Sequence, residues 1–192
     1  MLKTINSILL VPFFLVACAS KQQGPSPLST ENKPGDLFSV SPREAVSLLA
    51  KDEAIASSAY KGIESGESKW LDFYKKIRPV SDASVSESLD QSIGLAIIQA
   101  PSAAIDVMAE IKKEKAGQHP DFQYLNWPCG ATSADFIEAE GDRDKVRAAK
   151  NTASRELQAK IKALQSIKLS NIKTASECKE IAQQALKRWT TK

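Results

Sequence analysis

Three times along this chain a hydroxyl residue stands three positions ahead of a glutamate: Ser41-Pro42-Arg43-Glu44, Ser84-Val85-Ser86-Glu87 and Thr174-Ala175-Ser176-Glu177. A capping box of this kind satisfies amides that the first helical turn leaves without partners, so it marks where a helix begins. The first box also places proline at the opening helical position, where its missing N–H costs nothing. Apolar residues then recur every three or four positions, and no stretch alternates apolar and polar as a half-buried strand does. Leu48, Leu49, Ile55, Ala59, Tyr60 and Ile63 supply two short helices broken near Lys51, and Ser65-Gly66 ends the second. Trp70 to Ile77 forms a dense apolar face that stops at Pro79. Leu89, Ile93, Ala96 and Ile97 follow, then Ile105, Met108 and Ile111 after Pro101, with Gly117 as the stop. Residues 118–132 lack this period and read as an irregular stretch. Two long helices close the chain, one along Val146, Ala149, Ala153, Leu157, Ile161 and Leu164, the other along Ile181, Ala182, Ala185 and Trp189. The expected fold is all-α: a single helical bundle or a solenoid-like helical stack over residues 41–192.

Ahead of that body the composition changes. Residues 19–40 hold Pro25, Pro27, Pro34, Gly24 and Gly35 among Ser, Gln, Lys and Asn, which predicts a flexible tether. Further upstream, Met1-Leu2-Lys3 is a basic start, and Ile5–Val16 is an apolar stretch of about a dozen residues, short of the roughly 20 that a spanning helix takes. A basic start, a short apolar core and a small-residue end make a secretory signal peptide. Its last residues, Leu15-Val16-Ala17-Cys18, resemble the lipobox of bacterial lipoprotein precursors. That resemblance implies removal of residues 1–17 and a diacylglyceryl group on the Cys18 thiol. It also implies an acylated new amine and a membrane-anchored mature protein, with this covalent lipid as its only cofactor. Ala19-Ser20 follow the cysteine, without the aspartate that commonly retains this family at the inner membrane, so the expected address is the periplasmic face of the outer membrane. Trp70 to Glu87 loosely resembles small uncharacterised all-helical bacterial envelope proteins, which implies no activity.

Losing Lys3 leaves 25 Lys/Arg against 23 Asp/Glu, a balance that by itself selects no partner. Its distribution is uneven: residues 18–141 carry 12 Lys/Arg and 18 Asp/Glu, residues 142–192 carry 13 and 5. Such asymmetry suits either an anionic partner surface or a basic helical face complementing an acidic one in the same fold. With Cys18 lipidated, Cys129 and Cys178 remain, and an even pair in an exported chain predicts a disulfide.

Catalytic constellations are hard to assemble from these residues. His119 is the only histidine and no glycine-framed serine exists. A zinc site from His119, Cys129 and Cys178 would lack the usual close ligand pairs. Glu138, Glu140, Asp142 and Asp144 surround Gly141, but residue 149 is Ala where a calcium loop needs its closing glutamate. Acids just before a long helix instead favour its N-terminus. Glu87 and Asp90 are accounted for by capping and solvent exposure.

Trp70, Phe73 and Tyr74 crowd onto barely more than one helical turn. They form either a core cluster or a groove for a partner segment, and they are the candidate partner-binding residues. Trp127 is expected over the disulfide, and Trp189 lies near an exposed end. The expected function is a non-enzymatic protein-binding module, as an envelope accessory factor or a toxin-immunity protein. It would meet the membrane through its lipid and take no nucleic acid. The alternatives are a murein or glycan hydrolase using paired carboxylates, or a lipid- or lipopolysaccharide-binding protein using the basic C-terminal helices.

Overall fold

Ser41 caps the first helix of the body as its sequence requires. Its Oγ accepts from the Glu44 amide at 3.3 Å, and Pro42 opens α1 (Pro42–Lys51). The structure, a computed structural model, describes residues 34–118, 124–132, 142–167 and 171–190. The signal peptide, Cys18, the tether up to residue 33, His119, Glu138 and Glu140 therefore lie outside the described residues. Asp52 breaks the chain where a break is expected: its amide closes α1, and its carboxylate caps α2 (Glu53–Glu64) by accepting from the Ile55 amide at 3.0 Å. Gly66 follows at φ 73°, a left-handed conformation that only glycine adopts cheaply. Helix α3 (Ser68–Ile77) runs into a 3-10 turn at Arg78–Val80, where Pro79 has no amide to continue the ladder.

Two of the three expected capping boxes are displaced. Helix α4 (Ala83–Gln99) is capped by Asp82, whose Oδ1 accepts from the Val85 amide at 3.1 Å. The Ser84 hydroxyl, already inside the helix, donates to the same carboxylate at 3.2 Å. A charged acceptor two positions upstream outcompetes a neutral one. Helix α5 (Pro101–Gln118) opens on its proline and runs one residue past Gly117, the expected stop. The stretch read as irregular contains a short helix, α6 (Asn126–Gly130), too brief to show a period. Asp142 caps α7 (Arg143–Gln165) through the Asp144 and Lys145 amides, in agreement with the helix-start role of its acids. Helix α8 (Ile172–Thr190) begins two residues before Thr174, whose side chain is buried rather than capping.

Helix α4 is the hub: α1, α2, α3, α5, α6 and α7 all pack against it. In a solenoid each unit touches only its neighbours along the chain. The architecture is therefore a bundle around α4, all-α among the described residues. Leu89, Ile93, Ala96 and Ile97 of α4 are fully buried against Ile63, Tyr74, Ile105 and other core residues. Gly94 admits α6, since a Cβ there would fall 2.1 Å from the Pro128 carbonyl oxygen. A smaller cluster, Leu157 with Ala182 and Ala185, seals α7 to α8.

Cys129 and Cys178 form the expected disulfide, with Cα atoms 5.2 Å apart, and join α6 to α8. A bridge across 49 residues stabilises a fold by about 4 kcal/mol in the chain-entropy account. Neither cysteine should react in a thiol assay on the denatured, unreduced protein, and both should after reduction; two reactive thiols before reduction would contradict the bond.

The folded body starts earlier than residue 41. Pro34–Phe38 is a 3-10 turn packed on α1 and α2, with Leu37 only 2% exposed. Proline and glycine in this segment serve a turn rather than a linker. Among the described residues no helix is long and apolar enough to cross a membrane.

Candidate functional site

Trp70, Phe73 and Tyr74 are buried, so they form core and not an open groove. Trp70 lies flat across α2 because residue 62 is glycine: a Cβ there would come within 2.2 Å of the indole. Phe38 then covers the cluster, its ring centroid 4.6 Å from Trp70 and 5.6 Å from Phe73. The chain's own N-terminal turn thus fills the place that the sequence left open to a partner.

Below this cluster lies a buried polar network. Asp90, expected at the surface, is 3% exposed and faces Arg78 across the bundle. Arg78 donates Nε to Asp90 Oδ1 at 2.6 Å and Nη2 to Oδ2 at 2.8 Å. Tyr74 donates its hydroxyl to Asp90 Oδ1 at 2.8 Å and also bonds the Tyr124 hydroxyl. With the single Tyr74 proton committed to the carboxylate, Tyr124 supplies the proton of that second bond. Burial alone would lower the Arg78 pKa, but the paired bonds from Asp90 outweigh it and hold the guanidinium above its ordinary value. Burial also pushes both phenols up, with Asp90 adding to the effect at each. The network is satisfied and closed to solvent, which makes it a clamp between α3, α4 and the segment before α6.

A second buried charge stands on α7. Lys160 is 0% exposed and donates Nζ to the Pro128 carbonyl at 3.1 Å and to the Ala131 carbonyl. These oxygens sit at the end of α6, where a helix leaves its last carbonyls unpartnered. Burial lowers the Lys160 pKa to about 7, and Glu156 pulls it partly back. Lys160 shares the stripe of Ala153, Leu157 and Leu164 at helical spacing, so a lysine inside an apolar stripe was the signal for it.

The surface that these clamps hold in place is a concavity of about 990 Å³ between α4, α6 and α8. Glu87, Gln91, Trp127, Ile181, Gln184 and Arg188 are among its lining residues. The Trp127 side chain reaches α4, with Nε1 donating to the Glu87 carbonyl at 3.1 Å, and it stays 51% exposed. One turn further along α4, Gln91 ties that helix to the segment just after α6 by donating Nε2 to the Thr132 carbonyl at 2.6 Å. A large aromatic held open by a hydrogen bond, beside a disulfide, is a preorganised contact surface.

No family model, curated protein or solved structure matches this chain. The concavity is lined by both polar and apolar side chains. Glu87 is the one carboxylate among its lining residues. Cys129 and Cys178 are spent on each other and cannot serve the zinc set considered from sequence. Among the described residues no group of three or more His, Cys, Asp or Glu is placed to hold a metal ion.

Proposed function

We propose that this chain is an exported, lipid-anchored protein at the periplasmic face of the outer membrane. Its helical body binds another protein, as an envelope accessory factor or a toxin-immunity protein. The anchor is supported by the sequence Leu15-Val16-Ala17-Cys18. The binding role is supported by one observation above the rest: Trp127 is half exposed yet hydrogen-bonded to the Glu87 carbonyl at the rim of the α4/α6/α8 concavity. Protein interfaces draw most of their energy from such aromatic anchors in preformed pockets.

Both halves of the reading are open to one experiment in the native envelope. Cys18→Ala should free the protein from membranes and abolish labelling with a lipid precursor. In mild-detergent capture, Trp127→Ala should lose a partner that the native chain retains. Arg155→Ala, on the exposed face of α7, should keep it. Continued lipid labelling of the Cys18 variant would end the anchor reading. Equal capture by native and Trp127→Ala chains would end the groove reading.

A further inference from the structure

We infer that the α4/α6/α8 concavity recognises an extended acidic segment of its protein partner, with a large apolar anchor about three residues from a carboxylate. The inference rests on the protein-binding reading above and names the chemistry of its partner. One wall of the concavity is graded along α8. Ile181, Gln184 and Arg188 fall on one stripe of that helix, at intervals of three and four residues, and all line the concavity. The inner end is apolar: Ile181 lies one turn beyond the disulfide at Cys178, faces Gly130 of α6, and shares the concavity with Trp127. The outer end is cationic, because Arg188 is exposed in the last turn of α8.

Ile181 and Arg188 are seven residues apart, which is about 10.5 Å along a helix. An extended chain covers that distance in about three residues. A short extended segment with one anchoring side chain therefore matches the span from Ile181 to Arg188. Strand addition is disfavoured, because the Ala131 and Thr132 carbonyls on this rim already accept from Lys160 and Gln91. Recognition falls to side chains: the Trp127 ring and Ile181 for the anchor, the Gln184 amide for backbone, and Arg188 for the carboxylate. An Arg–carboxylate pair at a rim contributes selectivity more than affinity.

The test is selection of random peptides displayed on phage against the full chain in mild detergent. Enriched sequences should pair a large apolar residue with Asp or Glu three positions away. Synthetic versions should bind Trp127→Ala roughly thirtyfold more weakly. Repeating the selection on Arg188→Glu should exchange the acid for Lys or Arg. Trp127-dependent peptides with no acid, or with an acid indifferent to Arg188→Glu, would overturn this partner chemistry while leaving the concavity as a protein site. No Trp127-dependent peptide at all, together with unchanged envelope capture by Trp127→Ala, would remove the protein-binding reading with it. Trp127-dependent binding of N-acetylglucosamine oligomers without peptide enrichment would overturn the inference in favour of a glycan.

Discussion

Asp90→Ala should destabilise the fold by about 3–5 kcal/mol, read as a lowered urea midpoint. The substitution leaves the Arg78 guanidinium buried without its counter-charge and takes the acceptor from Tyr74. An uncompensated buried charge is among the few mechanisms that give single-residue effects of this size. Arg78→Met removes the cation instead and strands the carboxylate with one hydroxyl partner, so a loss of similar order is expected. Combining Arg78→Met with Asp90→Leu should recover most of that loss, because an apolar pair of similar volume often matches a buried ion pair in stability. The exposed Lys69–Glu67 pair, 3.1 Å apart, is the internal control. Exposed ion pairs contribute about 0–1 kcal/mol. An Asp90→Ala loss within that control range would mean that the Arg78–Asp90 pair is not sequestered in solution.

The same residues explain where the sequence is informative and where it is silent. Helix positions follow from local chemistry, so Ser41, Asp52, Gly66 and Pro101 act where the chain puts them. Errors of a residue or two arise where two acceptors compete, as Asp82 does with Ser84 at the start of α4. The aromatic cluster at Trp70 was legible as a cluster, with core and groove both open, and burial decides for core. Its covering ring, Phe38, comes from a segment whose Pro34 and Gly35 resemble linker composition. Asp90 and Lys160 escaped for a different reason. A charge on an apolar stripe marks the position, but its role shows only with its partners, which lie 12 residues away at Arg78 and 29 to 32 residues away at Ala131 and Pro128. The concavity needed still longer links, since Trp127 and Arg188 line it together only where α6 packs on α8, joined by the disulfide. Periodicity describes each helix by itself. Which faces end up open is decided by contacts between helices distant in sequence.

Lys160 makes the second large prediction, a pH dependence whose sign can be worked through. The free amine titrates at 10.5, whereas burial lowers it in the folded protein to about 7. Between these values the unfolded chain holds a proton that the folded chain has released, so stability should rise with pH across that window. Below about pH 7 the folded protein carries the full penalty of a buried ammonium, a span on the order of 5 kcal/mol relative to the upper end. The rise should stop near pH 10. Tyr74 and Tyr124 have raised pKa values when folded, so their contribution is present below about pH 10 and is lost as the unfolded phenols ionise above it. Lys160→Met removes the amine and leaves the Pro128 and Ala131 carbonyls without a donor, a loss of about 1–3 kcal/mol. Near pH 6, relief from the buried charge should outweigh that loss and the variant should be the more stable. Near pH 10, where the remaining penalty is under about 1 kcal/mol, the balance should reverse, so the two stability curves cross. Urea midpoints at four or five pH values would decide it. Parallel curves would mean that the Lys160 ammonium stays charged at no cost, its two carbonyl acceptors being enough to replace water.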